Sequence, residues 1–184
     1  MRTTTLNGML NSLSTNYNRR NPEAFLFEIG KIYIPKSIPL TELPEEKTVL
    51  TVGMYGKVDF YDIKGIIEEL SEVLGIKNNI EYSPVSDISY MHPGRCAGIS
   101  IGEDKLGFLG EVHPTVCENY EIGTKVYVAV IYIDKLRQNV TFDRVYKALP
   151  KFPAVQRDIS MLVKNEVIVK DIENIIKEKG GKLI

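Results

Sequence analysis

Apolar residues recur at helical spacing near the start of the chain and at every second position soon afterwards. The first pattern covers residues 5–18, and it predicts an amphipathic helix whose apolar face carries Leu6, Met9, Leu10, Leu13 and Tyr17. From Ala24 to Ile34 the period changes to two, which indicates a β-strand. A second strand is predicted at 48–55, where Val, Thr and Tyr are frequent.

The clearest predicted helix lies between Asp59 and Gly75. Asp59 is a favourable N-cap residue, a broad apolar stripe follows it at helical spacing, and Gly75 favours a helix end. A short helix is expected after Pro114, and three further strands are predicted at 97–101, 105–112 and 125–133. Strands that follow one another so closely favour antiparallel pairing, so the pattern predicts an α+β fold.

The periodic pattern weakens after residue 136. We therefore predict a first module at 1–136, a linker at 137–150 and a second unit at 151–184. Within the second unit, the spacing of apolar residues predicts a strand at 158–163 and a helix at 168–179, followed by the start of another strand at 182–184. One strand and one helix cannot bury both faces of a core, so we expect this unit to be the start of a longer domain.

Composition is that of an ordinary globular protein. The chain has 184 residues, of which 43% are apolar and 26% charged. Its longest apolar run, Val126–Ile133, is far shorter than the roughly 20 residues that a membrane-spanning helix needs, so no membrane association is expected. Two cysteines are too few for a disulfide framework, and no signal-peptide pattern opens the chain, which predicts a cytoplasmic protein.

Charge is distributed unevenly along the chain. Residues 1–136 carry 13 Lys and Arg against 18 Asp and Glu, whereas residues 137–184 carry 10 against 6. A basic terminal segment is consistent with nucleic acid nearby, because phosphates attract positive charge. A lysine-rich solvated helix explains the same counts, and the sequence leaves both interpretations open.

A repeated His-x-x-x-Cys pattern is the strongest candidate for metal chemistry. It consists of His92 with Cys96 and of His113 with Cys117, and two imidazoles with two thiolates could hold a tetrahedral zinc ion. Each His precedes a proline, however, and the short Cys-x-x-Cys spacing of common zinc sites is absent. The alternative is that each His-Pro pair ends a strand with its imidazole bonded to local backbone, while both cysteines are buried as small apolar residues.

Other catalytic patterns are absent from the sequence. No nucleophile elbow and no glycine-rich phosphate-binding loop occurs. Arg95 and Arg157 lie next to predicted turns, where a guanidinium could clamp a phosphate, although an ion pair with a surface carboxylate is the favoured explanation for Arg95. Residues 151–158 combine positive charge with Phe152, as contacts to single-stranded RNA often do.

Six short segments, taken in order, are more specific than any of these single motifs. They read MRTTTLNGML at 1–10 with NYNRR at 16–20, LFEIGKIY at 26–33, DFYDIKG at 59–65, HPGR at 92–95, GFLGEVHP at 107–114 and KFPAVQRDIS at 151–160. In order and spacing they resemble the β chain of phenylalanine-tRNA synthetase, over nearly the whole chain. The resemblance implies a class II synthetase-like antiparallel sheet flanked by helices, followed by a truncated ferredoxin-like unit that begins an anticodon-binding domain.

This resemblance also implies a function without chemistry of its own. The two arginine motifs by which catalytic chains of the family hold ATP are absent here, so no catalytic, cofactor-binding or metal-binding residue is expected. ATP and Mg²⁺ would belong to the holoenzyme and its α subunit, with which the chain would form an (αβ)₂ heterotetramer that acts on tRNA(Phe). The first helix, through Leu6, Leu10, Leu13 and Tyr17, is the expected subunit interface, and Lys151 and Arg157 are the expected tRNA contacts.

Two rival functions stay open on the sequence alone. One is a small zinc-binding or hydrolytic enzyme built on His92, Cys96, His113 and Cys117. The other is a free-standing RNA-binding module that uses the basic segment after residue 136.

Overall fold

A computed structural model of the chain describes residues 1–76, 80–141, 146, 153 and 155–181. Its helices and strands, in chain order, are α1 (Leu6–Asn18), β1 (Ala24–Ile34), β2 (Glu45–Tyr55), α2 (Phe60–Val73), β3 (Glu81–Pro84), β4 (Met91–Ile101), β5 (Asp104–Val112), α3 (Pro114–Asn119), β6 (Val126–Tyr132), α4 (Ile133–Asn139) and α5 (Val169–Gly180). Contacts along the chain divide it into two compact units, residues 1–145 and residues 146–184.

The first unit is built on one six-stranded sheet in the order β1-β2-β6-β5-β4-β3. Every neighbouring pair of strands is antiparallel, which confirms the pairing predicted from the sequence. β1 and β3 are the edges of the sheet, whereas β6 lies between β2 and β5. The predicted α+β class, an antiparallel sheet with flanking helices, is therefore confirmed for this unit.

The two faces of the sheet carry separate apolar layers. One layer joins α1 to the sheet through Leu10, Leu13, Tyr55 and Val128. The other joins α2 and α4 to the opposite face, and its members include Ile63, Ile67, Met54, Ala129 and Leu136. Because successive side chains of a strand point to opposite faces, β6 supplies alternate residues to both layers, and all of its residues except Tyr132 are buried.

Close approach of α1 to the sheet depends on a glycine in β2. A Cβ atom added at Gly53 would lie 2.6 Å from Cγ of Met9, which is too close for two carbon atoms. The hydroxyl groups of Thr5 and Thr51 are hydrogen-bonded to each other in the same buried layer, so α1 is also held at its first turn. These contacts make α1 a part of the core of the unit.

α2 begins and ends as its sequence predicts. The Asp59 carboxylate accepts hydrogen bonds from the backbone N–H groups of Tyr61 and Asp62, and the Asp62 carboxylate accepts one from the N–H of Asp59. This reciprocal capping box satisfies donors that the first helical turn leaves without partners. At the other end Gly75 has φ +66°, and an added Cβ there would collide with the carbonyl oxygen of Thr141.

Several sequence predictions need correction. No strand was predicted between Gly75 and residue 97, but this segment contains the short edge strand β3. α4 was not predicted: it begins within the predicted first module, where Leu136 is buried against the sheet, and it extends into the first residues of the segment predicted as a linker. Residues 158–163 form no strand, because their backbone has no ladder partner among the described residues.

The second unit contains α5, whose bounds agree with the predicted helix within one residue. Gly181, with φ +57°, follows its last turn. No residue of α5 is buried, so its apolar side chains have no core to join among the described residues. The strand predicted at 182–184 lies outside the described residues, and the ferredoxin-like fold and the domain limits stay predictions.

In the part of the chain that the structure describes, no helix combines the length and the apolar character that crossing a membrane requires.

The packing of α1 makes a testable prediction about stability. Leu13 is fully buried between α1 and the sheet, so Leu13→Ala should lower the free energy of unfolding by about 3 kcal/mol through lost burial and an unfilled cavity. Urea denaturation followed by circular dichroism measures this change. Leu43→Ala is the matched control, because Leu43 is 87% exposed, and it should change the stability by less than about 0.5 kcal/mol. An equally small effect of Leu13→Ala would contradict the core position of α1.

Candidate functional site

A wide bulge in β4 brings several polar residues of the first unit together. The pairing of β4 with β5 moves from Met91–Val112 to Cys96–Gly110, so residues 92–95 lie opposite the single residue Glu111. Bulges of this kind redirect side chains that a regular strand would place on its faces. The expectation that His92-Pro93 ends a strand was therefore wrong, since these residues lie near the start of β4.

Arg95 forms an ion pair with Glu111 across this bulge. Its Nη1 atom lies 3.1 Å from Oε1 and 2.9 Å from Oε2 of the carboxylate. The Glu111 side chain is almost completely buried, while that of Arg95 is half exposed. The sequence suggested a surface carboxylate as the alternative partner of Arg95, and the structure supplies a buried one.

The hydroxyl group of Tyr127 supports the Glu111 carboxylate from β6. It donates to Oε2 at 3.4 Å. Burial raises the pKa of Tyr127, and the nearby negative charge of Glu111 raises it further. The phenol therefore remains protonated at neutral pH and keeps its role as a donor.

A cavity of about 660 Å³ opens next to the ion pair. Its polar lining comes from the β4 bulge, from Glu111, from Glu118 of α3 and from the segment that leads into β6. The complete lining consists of His92, Arg95, Glu111, Val112, Pro114, Cys117, Glu118, Ile122, Gly123, Thr124 and Lys125. The lining combines an imidazole, a guanidinium, an ammonium group, carboxylates and a thiol, and we call this candidate site the bulge cavity.

Both histidines bond to local backbone, as one of the two sequence interpretations expected. Nδ1 of His92 accepts the N–H of Gly94 at 3.1 Å, and Nδ1 of His113 accepts the N–H of Thr115 at 3.3 Å. His113 thereby caps α3. Of the four residues in the zinc hypothesis, only His92 and Cys117 line the bulge cavity.

The two cysteines are buried and have unreactive thiols. Burial raises the pKa of Cys96 to about 11 and also raises the pKa of Cys117. A thiol is nucleophilic and binds metal as its thiolate, which these environments disfavour. Among the described residues no group of three or more His, Cys, Asp or Glu side chains is arranged to hold a metal ion, so the zinc or hydrolase hypothesis has no support.

A separate apolar surface lies on the outer part of the sheet. Phe25, Phe27 and Ile29 project from edge strand β1 with exposed fractions of 55%, 74% and 61%. Together with Ile66 and Leu70 of α2 they border an apolar groove of about 390 Å³. We call these five residues the β1 patch. Large apolar side chains clustered in this way are typical of surfaces that bind another protein.

The residues expected at a subunit interface lie elsewhere. Leu6, Leu10 and Leu13 are buried in the chain's own core, and Tyr17 is partly buried beside Tyr55. Their helical spacing does mark an apolar face, but that face packs on the sheet of the same chain. The described structure covers Leu6, Leu10 and Leu13 within the chain and leaves Tyr17 partly accessible, so a subunit interface at these four residues stays a prediction.

The two expected tRNA contacts belong to the second unit. Lys151 lies outside the described residues. Arg157 is exposed, and its Nη1 atom donates a hydrogen bond to the carbonyl oxygen of Gln156. Its role as a tRNA contact stays a prediction.

Sequence reasoning missed Glu111 and the β1 patch as functional candidates. Glu111 is visible in the sequence as a lone acidic residue in a predicted strand with apolar neighbours. Its position opposite the Arg95 segment follows only from the pairing of β4 with β5. The alternation of residues in β1 is visible in the sequence, but no local signal marks the side with Phe25, Phe27 and Ile29 as the uncovered one.

Known structures share this fold. A pyrrolysyl-tRNA synthetase from Desulfitobacterium hafniense matches with a TM-score of 0.60 at 16% sequence identity, covering 75% of this chain and 49% of that one. A second structure of pyrrolysyl-tRNA synthetase from this organism matches with a TM-score of 0.57 at 18% identity, covering 76% of this chain and 50% of that one. At such identities the likeness concerns the fold alone, and it defines the first unit as a class II aminoacyl-tRNA synthetase-like module.

Comparison of sequences identifies the family more specifically than the comparison of structures does. Residues 1–133 match the family model of the phenylalanyl-tRNA synthetase β chain CLM domain, and the chain belongs to this family. Phenylalanine–tRNA ligase β subunits from Clostridium acetobutylicum, Clostridium tetani and Shouchella clausii are 53%, 48% and 34% identical to it. Each alignment covers the whole chain and 23%, 23% and 24% of the relative, so the chain spans about a quarter of these relatives' length.

The thiol environments make a prediction that involves pH. At pH 8 the Cys96 thiol, with a pKa of about 11, should react with a thiol-specific reagent such as DTNB orders of magnitude more slowly than in the unfolded chain. Reaction should accelerate as the pH rises towards 11, because the raised pKa delays formation of the thiolate. The control is the same chain in 8 M urea, where both cysteines should react at the ordinary rate. Rapid labelling of the folded chain at pH 8 would contradict the buried, neutral thiols.

Proposed function

We propose that this chain is a non-catalytic part of the β subunit of phenylalanine–tRNA ligase. It supports (αβ)₂ assembly and helps to position tRNA(Phe), while the α subunit carries out ATP-dependent aminoacylation in the cytoplasm. Membership of the β chain family is the observation that carries this proposal, since a β subunit implies an α partner.

The β1 patch supports the assembly role. An edge strand with exposed Phe25, Phe27 and Ile29 carries both unpaired backbone groups and apolar surface, which soluble proteins normally cover. Aromatic side chains at the centre of such surfaces commonly supply most of the binding free energy. We therefore assign the β1 patch, rather than α1, to contact with the α subunit.

We assign no catalytic role to the cysteines and histidines of the described residues. Both cysteine thiols are kept neutral by burial, and each histidine uses Nδ1 as a local hydrogen-bond acceptor. The described residues form no cluster that fits a metal ion, so we assign no step with Mg²⁺ or ATP to this chain. These cofactors act in the holoenzyme, in the active site of the α subunit.

Positioning of tRNA is supported by the excess of positive charge after residue 136. This segment carries 10 Lys and Arg against 6 Asp and Glu. The Lys and Arg residues that the structure describes in the second unit lie at the surface. Such a surface attracts phosphates without selecting a base sequence.

The assembly role predicts the effect of a single substitution in the β1 patch. Phe27→Ser should weaken binding of the chain to a catalytic α subunit of phenylalanine–tRNA ligase by about tenfold or more, as expected for a central aromatic anchor. Light scattering of the chain alone and mixed with the α subunit, over a range of concentrations, measures the complex.

Leu43→Ser is the control, because Leu43 is similarly exposed but lies in the loop before β2. It should leave the mixed complex unchanged. A complex that tolerates both substitutions would remove the β1 patch from the interface, and failure of the unsubstituted folded chain to form any complex would contradict the assembly role of these residues.

The tRNA role predicts a weaker, salt-dependent interaction. Replacing Lys151 and Arg157 by Ala should lower the affinity for tRNA(Phe), and the slope of log K against log salt concentration should fall by about one for each phosphate that is no longer neutralised. Fluorescence anisotropy with labelled tRNA(Phe) measures both quantities. Lys36→Ala in the first unit is the control, and an identical salt slope for all three proteins would rule out Lys151 and Arg157 as phosphate contacts.

A further inference from the structure

The bulge cavity collects hydrogen-bond donors that no acceptor within the described residues occupies. Lys125 lines it without any ion pair or hydrogen bond in the described part of the chain. His92 contributes a donor as well. Since its Nδ1 atom accepts the N–H of Gly94, the neutral imidazole carries its proton on Nε2.

Arg95 adds further donors in a fixed orientation. Its two hydrogen bonds to Glu111 both use Nη1, so Nε and Nη2 are left without acceptors among the described residues. Glu111 is only 3% exposed and is held in turn by the hydroxyl group of Tyr127. A buried carboxylate therefore orients a guanidinium at the wall of the cavity, which reduces the entropy that binding an anion would cost.

The net charge of the cavity lining favours a ligand with one anionic group over a polyanion. Arg95 and Lys125 are balanced by Glu111 and Glu118, so the cavity has no surplus of positive charge of the kind that attracts a nucleic acid backbone. A single anion needs only local donors. Beside these donors the cavity also has apolar walls, to which Val112, Pro114, Cys117 and Ile122 contribute.

We propose that the bulge cavity binds a small carboxylic acid, with its carboxylate on Arg95, Lys125 and His92 and its apolar stem against these walls. A volume of about 660 Å³ is within the range of roughly 300–1,000 Å³ that small-molecule sites occupy. No step of subunit assembly or tRNA binding is needed for this site, so the proposal does not depend on the function proposed above.

Calorimetric titration of the 184-residue chain with 3-phenylpropionate tests the proposal. The expected result is saturable binding with one ligand per chain. The neutral analogue 3-phenylpropionamide, which has the same shape, should bind about tenfold more weakly or worse, because it offers no charge-assisted hydrogen bonds. Inorganic phosphate at the same concentrations should bind more weakly than the carboxylate, because it has no apolar stem.

Two variants locate the binding site. Arg95→Gln and Lys125→Gln should each weaken 3-phenylpropionate binding, the first by about tenfold or more. Lys125 is exposed, so its substitution tests the site even where loss of the Arg95–Glu111 pair impairs folding. Arg19→Gln, at an exposed position after α1, is the matched control and should bind normally.

Several results would overturn the proposal. One is the lack of saturable 3-phenylpropionate binding by the folded chain. Others are equal affinity for the amide and the carboxylate, or tighter binding of phosphate than of the carboxylate. The last is that the Lys125→Gln variant and a folded Arg95→Gln variant both bind 3-phenylpropionate as tightly as the unsubstituted chain.

Discussion

Burial of β6 on both of its faces is the constraint on which the first unit depends. A strand between β2 and β5 can be fully buried only if one helix layer covers each face of the sheet. α1 supplies one layer, with Gly53 allowing its close approach, and α2 with α4 supplies the other. The same arrangement gives α1 its place in the core, because its apolar face packs on the sheet of its own chain.

Coverage of the sheet is incomplete at its β1 edge. The side chains of Ile66 and Leu70 on α2 border the same groove as β1, but they leave Phe25, Phe27 and Ile29 exposed. At the opposite side of the sheet, the β4 bulge keeps polar residues around a buried carboxylate. The unit thus separates an apolar surface suited to a protein partner from a recessed polar cavity suited to a small anion, and neither depends on the other.

Local patterns in the sequence predicted α1, α2, α3 and most strands of the first unit, because apolar periodicity and capping residues such as Asp59 act over a few positions. These local patterns did not predict the features that depend on contacts between distant parts of the chain. β3 pairs only with β4, α4 packs on the sheet through Leu136, and the apolar face of α1 could not be assigned to core or interface from its spacing alone. The pair of Arg95 and Glu111 was equally hidden, since it depends on the register shift between β4 and β5.

Hydrogen–deuterium exchange of the chain with and without the catalytic α subunit tests most directly whether this module is an assembly element that binds through β1. The account predicts that amides in 24–34 and 60–73 become protected in the complex, while those in 6–18 exchange at the same slow rate in both states. Protection concentrated at the exposed side of α1, with β1 and α2 unchanged, would contradict the account.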